Sequence, residues 1–354
     1  MLQSRHIKLI AAFDHRHIFI DPDPDPEISY QERCRLYRLP RSSWADYDPA
    51  KLSAGGGVYP RSAKVIELSA EARRTLGTEQ ERFAPDELIR ALLRAPVDLL
   101  WSGGIGTYCK ASDESNADVG DKANDPLRVD AASLRCRVVG EGGNLGFTQR
   151  GRIECALRGV RINTDAIDNA GGVNCSDHEV NIKILLNQAV EDGELTVKQR
   201  NQLLAEMTEE VAALVLADNY QQTQALSLAQ AHGGEALDEH TRFIHALERA
   251  GLLDRELEHL PDDDTLASRT RLTRPELAVL LAYAKIAANH ALLQHAPLLD
   301  APFMTPVLLG YFPRPLARDF GRYISRHRLR REITATVLAN QIINRMGVSF
   351  FHRL

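Results

Sequence analysis

The sequence predicts an α/β fold, with an incomplete Rossmann-like parallel sheet in residues 1–190 and an all-α helical region in residues 191–354. Two observations lead to this prediction. Short β-rich runs in the first half alternate with helical patterns, which is typical of a parallel sheet. Beyond about residue 190, apolar side chains recur at spacings of three and four. The chain has 354 residues, enough for two such domains.

The strand candidates of the first half are mostly apolar throughout, as expected when helices cover both faces of a sheet. They are IKLIAAF (7–13), HIFI (17–20), VDLLW (97–101), CRVVG (136–140) and VRIN (160–163). A helical pattern, PDELIRALLRA (85–95), precedes the third run. The DPDPDP run (21–26) predicts a stiff loop, because each proline disfavours helix for the residue before it.

The second half carries helix-start and helix-end signals. Thr196 with Gln199, and Thr273 with Glu276, match the capping-box pattern. Gly251 follows the pattern EHTRFIHALERA and suits the position just past a helix end. A final helix is predicted over roughly 328–346.

Composition narrows the function class. Hydrophobic residues make up 44% and charged residues 26%, with a net charge of −5, so no global positive field favours nucleic acid. The longest purely apolar run, LAVLLAYA (277–284), is too short to span a bilayer, and no secretory signal pattern opens the chain. Five cysteines without a CxxC pair indicate reduced thiols. These features predict a cytoplasmic protein with neither a nucleic-acid nor a membrane partner.

The two ends of the chain suggest that it is an internal piece of a longer protein. MLQSRHIKLIAAFD reads as the end of a helix that runs straight into a strand. The other end, IINRMGVSFFHRL, stops abruptly after a long helix. We therefore expect neighbouring segments on both sides.

Two predicted strands end in glycine clusters. SGGIGTY, with Gly103 and Gly104, follows VDLLW, and GEGGNLGF follows CRVV. Glycine after a parallel strand lets backbone amides approach a ligand, and ligands bind at the carboxyl ends of such strands. Each loop by itself also fits a plain turn. Neither is a dinucleotide fingerprint, since Leu145 stands where Gly140 and Gly142 would require a third glycine.

Asp14 ends the run IKLIAAF. A carboxylate at the tip of the second Rossmann strand accepts hydrogen bonds from the adenosine ribose. An ordinary loop aspartate is the alternative, and His15 and Arg16 could instead attract phosphate. The fingerprint glycines should lie about 20 residues before such an aspartate. The domain's first strand and glycine-rich turn are therefore expected upstream of Met1 and missing from this chain.

NTDAIDNAGGVNCSDHE (163–179) concentrates polar groups between apolar segments. It fits a turn with a helix cap, a metal site or a ligand pocket. Ser176 with Glu179 forms a capping box before an apolar helix. Cys175 and His178 lack the second pair that zinc sites need, although a thiol nucleophile beside a histidine fits locally.

The arginine-rich segment 314–331 fits a solvated helix face or a contact with an acidic partner domain.

These segments resemble a family, the very large bacterial NAD-specific glutamate dehydrogenases. The resemblance rests on VDLLWSGGIGTYCKAS, VVGEGGNLGFTQRGRIE and NTDAIDNAGGVNCSDHEVNIKI, and extends to IKLIAAFDHRHIFIDPDPD and RLTRPELAVLLAYAKI. It implies an internal fragment that holds most of the NAD-binding domain and part of the C-terminal helical region. The implied reaction is oxidative deamination of L-glutamate to 2-oxoglutarate and ammonia, with hydride transfer to NAD, in an enzyme that is a homo-oligomer when complete.

The resemblance also implies residue roles. Glu141–Asn144 matches the EGxN motif, whose asparagine lies along the cofactor, and residues 169–176 match NAGGVxxS. Asn169 would face the nicotinamide carboxamide, Val173 would line the substrate pocket and Ser176 would bind the substrate side-chain carboxylate. With the residues singled out above, the predicted cofactor contacts are Asp14, Gly103, Gly104, Asn144 and Asn169, and no metal is predicted.

The family's catalytic lysines and aspartate belong to a substrate domain that no segment here resembles. We therefore expect the isolated chain to be inactive and assign it no catalytic residue. The alternative function is a non-catalytic helical interaction module or remnant. A dehydrogenase of apolar amino acids is disfavoured, because an apolar substrate pocket would not be expected to use the hydroxyl of Ser176.

Overall fold

The computed structural model describes residues 4–350, with the backbone alone at residue 235. Contacts divide the chain into two compact units. The first contains the residues up to Gly140 together with Leu145–Arg161. The second contains Glu141–Asn144 and the chain from Ile162 onward. The functional boundary predicted near residue 190 is a different division and stays a prediction.

The first unit combines short strands with short helices. Its strands are β1 (Ala11–Phe13), β2 (His17–Ile20), β3 (Gly57–Pro60), β4 (Ile66–Glu67), β5 (Arg82–Phe83), β6 (Leu99–Ser102), β7 (Cys109–Lys110), β8 (Val129–Asp130) and β9 (Val138–Glu141), the last residue of which is assigned to the second unit. Its α-helices are α1 (Pro26–Arg38), α2 (Ala70–Leu76), α3 (Pro85–Leu93), α4 (Asn116–Val119) and α5 (Gln149–Leu157). Short 3-10 helices cover Trp44–Asp46, Pro49–Lys51, Lys122–Asn124 and Ala131–Ser133.

The described strands form small separate sheets. β1, β2 and β3 make an antiparallel sheet, and β4 pairs antiparallel with β5. β7 pairs parallel with β8, β6 pairs with β9, and Val138 makes a parallel bridge with Arg161. An α/β unit followed by helices is thus confirmed, whereas a single Rossmann-like parallel sheet is not.

β1 and β2 correspond to IKLIAAF and HIFI, but they form an antiparallel hairpin. Residues 14–16 alone connect them, and parallel strands need a crossover of a dozen or more residues. Asp14 closes the turn, since its Oδ1 accepts the N–H groups of Arg16 and His17, both at 2.7 Å. The predicted parallel direction is wrong for this pair, because the length of the connection decides the direction.

Several local predictions for the first unit are confirmed. VDLLW and CRVVG supply β6 and β9, and PDELIRALLRA supplies α3. The DPDPDP loop ends at Asp25, whose carboxylate caps α1 by accepting from the N–H groups of Glu27 and Ile28. VRIN contributes the single bridge at Arg161 rather than a strand.

The second unit is helical. Its helices are α6 (Asp165–Asp168), α7 (Ala170–Glu191), α8 (Val197–Glu206), α9 (Thr208–His232), α10 (Leu237–Arg249), α11 (Asp263–Ser268), α12 (Arg274–Leu293), α13 (Ala296–Leu299), α14 (Thr305–Tyr311), α15 (Arg314–Asp319), α16 (Gly321–Ser325) and α17 (Arg330–Met346). The 3-10 helices Gly233–Ala236 and Pro302–Met304 lie between them. The predicted helical texture is confirmed, and it begins well before residue 190.

Both predicted capping boxes of this region are present. Thr196 accepts from the N–H of Gln199, and its own N–H donates to the Gln199 side chain. The N–H of Thr273 donates to Glu276 Oε2 at 2.6 Å at the start of α12. Gly251, with φ of 66°, follows α10 as expected for a residue past a helix end.

α12 lies at the centre of a large apolar core that it shares with α9, α10 and α17. Leu280, Ala284 and Ala288 are fully buried there. Among the described residues, this helix alone is long and apolar enough to cross a membrane, and half of its most apolar window is buried in the unit. A core helix accounts for that composition. A second core packs α7 against α14 and α16.

Candidate cofactor and substrate site

NAGGV lies at the start of a long helix. α7 begins at Ala170, with Asn169 as its N-cap residue. Ser176 is therefore the seventh helical residue, and the Glu179 carboxylate accepts from Lys183 one turn further on. The predicted Ser176–Glu179 capping box is wrong, because the helix starts six residues earlier and runs through both glycines.

Packing against α9 explains why the helix starts so early. At Gly171, an added Cβ would lie 3.5 Å from Asn219 Nδ2 and 3.8 Å from Val215 Cγ1, so α7 and α9 approach closely there. Most helix stability in proteins comes from such packing rather than from propensity. The pair Gly171–Gly172 is consequently helical.

The fold itself does not require glycine at positions 171 and 172. Neither residue has a positive φ. At Gly171 an added Cβ would make ordinary contacts, and at Gly172 its nearest neighbour would be Asn169 Oδ1 at 3.6 Å. Glycine in a helix costs about 1 kcal/mol relative to alanine. Two glycines that packing does not explain are consistent with the close approach of a ligand to the backbone.

The two predicted cofactor asparagines are in direct contact. Asn169 Nδ2 donates a hydrogen bond to Asn144 Oδ1. Asn144 is exposed, and Asn169 is half-buried at the N-terminus of α7. A carboxamide carries two N–H donors and an acceptor with two lone pairs, so each of these side chains has capacity for a second amide partner.

Asp168 ties the Glu141–Asn144 loop to the start of α7. Its Oδ2 accepts the N–H of Glu141 at 2.9 Å, and its Oδ1 accepts from Asn163 Nδ2 at 2.6 Å. Neither Asp168 nor Asn163 is among the site residues predicted from the sequence. A signal was available, because Asp168 immediately precedes NAGGV and an anion is favoured at a helix N-terminus.

Val173 and Ser176 lie on one exposed face of α7. They are three residues apart, which places them side by side on a helix, and Val173 is 69% exposed. The favourable field of the helix N-terminus falls off within the first turn. It therefore acts on an anion near Gly171 and Gly172 more strongly than on one at Ser176.

The predicted glycines of the first unit occupy an exposed loop after β6. An added Cβ at Gly104 would meet nothing within 4 Å, and at Gly103 it would meet Trp101 Nε1 at 3.3 Å. Other glycines of these loops have structural reasons. Gly106 has a φ of 120°, and a Cβ at Gly140 would lie 2.6 Å from the Trp101 ring.

The structure thus brings two of the predicted site residues into direct contact. Asn144, Asn169, Val173 and Ser176 belong to the second unit, where the asparagines touch. Asp14, Gly103 and Gly104 belong to the first unit, and Asp14 uses Oδ1 to close a hairpin. Their roles towards a cofactor stay predictions.

Comparison with known proteins identifies the family. The model of the bacterial NAD-glutamate dehydrogenase catalytic domain matches residues 1–229, which is more than half of the chain. The chain belongs to the bacterial NAD-glutamate dehydrogenase family. A second model, glutamate dehydrogenase C-terminal, matches residues 269–354.

Three NAD-specific glutamate dehydrogenases are close relatives of this member of the family. Those of Halomonas elongata, Pseudomonas aeruginosa and Mycobacterium tuberculosis are 54%, 56% and 50% identical to it, over 358, 358 and 364 residues. Each alignment covers all of this chain and 22% of the relative. The chain therefore spans about a fifth of the length of the curated relatives that it matches.

In this bacterial NAD-glutamate dehydrogenase chain, His178 packs inside the second unit, whereas its neighbour Asp177 is exposed. His178 is buried and stacks on Tyr311, with ring centroids 4.4 Å apart, and burial lowers the pKa of His178. The Tyr311 hydroxyl donates to Asp177 Oδ2 at 2.6 Å. Cys175 is exposed, so the structure gives no support to a Cys175–His178 nucleophile pair. Within residues 4–350 no group of three or more His, Cys, Asp or Glu side chains could hold a metal ion.

The arginine-rich segment 314–331 forms ion pairs within the second unit. The pairs are Arg314–Glu210, Arg318–Asp319, Arg322–Glu194, Arg330–Asp300 and Arg331–Asp300. Most of these side chains are well exposed, and such surface pairs contribute little to stability. The pairing favours the interpretation as a solvated helix face.

Proposed function

We propose that this chain is the NAD-binding part of an NAD-dependent glutamate dehydrogenase, together with part of its C-terminal helical region. The complete enzyme would deaminate L-glutamate oxidatively to 2-oxoglutarate and ammonia. The observation that carries the proposal is the contact between Asn144 and Asn169 beside the helical pair Gly171–Gly172. Two carboxamides next to open backbone suit a ligand that itself carries a carboxamide.

NAD fits this arrangement. Asn169 would bind the nicotinamide carboxamide, Asn144 would lie along the cofactor, and Gly171–Gly172 would allow it to approach the helix backbone. When bound, NAD supplies the hydride acceptor of the reaction. In the first unit, Gly103 and Gly104 would contact the cofactor through backbone amides, and Asp14 would bind the adenosine ribose.

The proposed domain division places a Rossmann-like NAD-binding domain in residues 1–190 and a helical domain in residues 191–354. The parallel pair of β7 and β8 and the parallel bridge between Val138 and Arg161 support a parallel sheet in the first domain. We propose that the sheet is completed by the strand and glycine-rich turn expected upstream of Met1.

The exposed face of α7 would bind the substrate. Val173 would line the pocket, and the Ser176 hydroxyl would donate a hydrogen bond to the side-chain carboxylate of glutamate. A hydroxyl at this place favours an anionic substrate over an apolar amino acid. The catalytic lysines and aspartate would come from parts of the enzyme that this chain does not resemble.

We further propose that the complete enzyme is a cytoplasmic homo-oligomer. The net charge of −5 and the buried position of α12 support an enzyme that binds neither nucleic acid nor membrane. Sedimentation of the complete enzyme would measure its oligomeric state, and a monomer at working concentration would contradict this part of the proposal.

The substrate assignment is tested by Ser176→Ala in the complete enzyme, assayed by NADH absorbance with L-glutamate and NAD. Loss of one hydrogen bond to a charged group should raise the KM for glutamate roughly tenfold. The KM for NAD should stay unchanged, because Ser176 lies about two helical turns further along α7 than Asn169.

Ser325→Ala is the matched control, since Ser325 is another exposed helical serine, bonded to the carbonyl of Gly321. It should change neither KM. Equal rises of both KM values in Ser176→Ala would contradict a role in substrate binding, and a complete enzyme that reduces no NAD with glutamate would refute the function as a whole.

A further inference from the structure

Arg274 is a cation at a helix position that disfavours cations. It is the first residue of α12, where the helix dipole favours negative charge. Burial lowers its pKa, and the charge of Asp168 opposes that shift. A guanidinium kept at such a place needs specific partners to offset the cost.

Those partners hold Arg274 in one orientation. Its Nε donates to Asn163 Oδ1. On the other side, Nη1 donates to Ser227 Oγ at 3.1 Å and Nη2 donates to the carbonyl of Thr223 at 3.1 Å, both on α9. The planar guanidinium therefore joins α9 to the segment that precedes α6.

Asn163 links the fixed guanidinium of Arg274 to Asp168. Its Oδ1 accepts from Arg274, and its Nδ2 donates to Asp168 Oδ1 at 2.6 Å. A carboxamide can face a cation and a carboxylate at once only with its oxygen towards the cation. Arg274 thus determines which way the Asn163 amide points, and so which donor Asp168 receives.

Arg274, Asn163 and Asp168 form a chain of hydrogen bonds, called the relay below. Asp168 connects this relay to both asparagines. Its second oxygen accepts the N–H of Glu141, the last residue of β9, directly before the loop that carries Asn144. Asp168 is also the residue directly before Asn169. The Asp168 carboxylate therefore holds the residue before the Asn144 loop and is itself adjacent to the N-terminus of α7. Asn169, at that N-terminus, donates a hydrogen bond to Asn144 in the loop.

We propose that Arg274 is a positioning residue for NAD binding, which acts through Asn163 and Asp168 on Asn144 and Asn169. The proposal rests on the cofactor role given above to these two asparagines. It assigns a role to the helical region, because Arg274 lies in the part that matches the C-terminal family model, whereas the asparagines lie in the part that matches the catalytic-domain model.

The test uses the complete enzyme and measures the dissociation constant of NADH by fluorescence titration, together with both KM values. Arg274→Met removes every donor of the guanidinium. We expect the dissociation constant of NADH and the KM for NAD to rise about tenfold, as for one lost charge-assisted bond. The KM for glutamate should change little, since Val173 and Ser176 lie outside the relay.

Asn163→Asp distinguishes an effect on NADH binding through the relay from an effect of lost packing. An aspartate at 163 keeps its acceptor for Arg274 but presents a second carboxylate to Asp168, in place of the Nδ2 donor. Like charges at hydrogen-bond distance repel, so the same rise in the NADH dissociation constant is expected while the arginine contact persists. An unchanged dissociation constant in this variant would overturn the proposal.

Arg269→Met is the matched control. Arg269 pairs with the buried Glu276 at 2.7 Å at the same end of α12 and has no bond to Asn163 in the part of the chain that the structure describes. Its loss should lower the melting temperature and leave NADH binding unchanged. If Arg274→Met likewise lowers only the melting temperature, Arg274 is merely structural and the proposal fails.

Asn169→Ala distinguishes this failure from failure of the proposed function. If Asn169→Ala weakens NADH binding and Arg274→Met does not, the positioning role alone is wrong. If Asn169→Ala leaves NADH binding unchanged, the cofactor role of the asparagines is wrong.

Discussion

Two half-buried charged side chains, Lys285 on α12 and Asp218 on α9, show what single residues contribute to stability. Desolvation lowers the pKa of Lys285 from 10.5 to about 8, while the charge of Asp218 opposes the shift. Burial also raises the pKa of Asp218. Both groups therefore pay for being ionised inside the unit, and their mutual attraction offsets part of that cost.

The pKa of Lys285 predicts how stability depends on pH. The folded pKa lies below the unfolded value, so the unfolded chain binds more protons between pH 8 and pH 10.5. The free energy of unfolding attributable to this group therefore rises with pH across that window. Below pH 8 the lysine is charged in both states and its full desolvation cost is present.

A double substitution, Lys285→Met with Asp218→Leu, removes both half-buried charges. The free energy of unfolding at pH 7 should be equal to or above that of the unmodified protein, because apolar replacements of desolvated charges of opposite sign are often neutral or stabilising. The difference between the two proteins should shrink from pH 8 to pH 10. Urea unfolding of the two proteins at pH 7, 8 and 10 measures these free energies.

The single variant Asp218→Leu provides the contrast. It leaves a half-buried ammonium without the nearby negative charge and should lower the free energy of unfolding, by less than the roughly 3 kcal/mol typical of breaking a fully buried ion pair. A double variant that is no more stable than this single variant would contradict the desolvation cost assigned to Lys285.

At the scale of elements, α7 combines a structural and a functional demand. Its apolar residues Ile182, Leu185 and Leu186 pack into a core, while Val173 and Ser176 stay exposed near its N-terminus. The glycines at its start weaken the helix without a packing reason. The N-terminus of α7 is therefore less stable than it would be with alanine at these two positions.

Replacing Gly171 and Gly172 together with alanine tests that conclusion. The double variant should be more stable by roughly 1–2 kcal/mol, because alanine is the better helix former and each Cβ has room. The added methyl groups should hinder the close approach of NAD and raise its KM. Thermal unfolding and steady-state kinetics of the complete enzyme measure the two effects.

Gly310→Ala in α14 is the control for helix propensity. Gly310 is exposed, lacks a positive φ and has nothing within 4 Å of an added Cβ. It should give a similar gain per residue with an unchanged KM for NAD. An unchanged KM in the Gly171–Gly172 double variant as well would remove the argument that these glycines serve a ligand.

At the scale of the whole molecule, activity should require more than these 354 residues. The sequence predicts no segment that resembles the lysine-bearing substrate region, and the curated relatives are several times longer. We expect no NADH to form when the isolated chain is mixed with L-glutamate and NAD, whereas the complete enzyme should produce it. Turnover by the isolated chain would mean that its own residues supply the catalytic groups.

The sequence by itself determined the local structure and the family. The capping boxes at Thr196 and Thr273 and the helix end at Gly251 were predictable, because each signal and its partner lie within one or two helical turns. The contact of Asn144 with Asn169 joined two motifs that the resemblance to the family had already marked. Such features need only short-range chemistry or a matching pattern.

Only the tertiary structure decided the start of α7 and the relay from Arg274. The hairpin of β1 and β2 follows from its three-residue connection, whereas the early start of α7 follows from its packing on α9. Arg274 and Asn163 are 111 residues apart, and no local pattern pairs them. A long-range hydrogen bond forms only after helix packing has brought its donor and acceptor together, so the physical link between the helical region and the asparagines is visible in the folded chain alone.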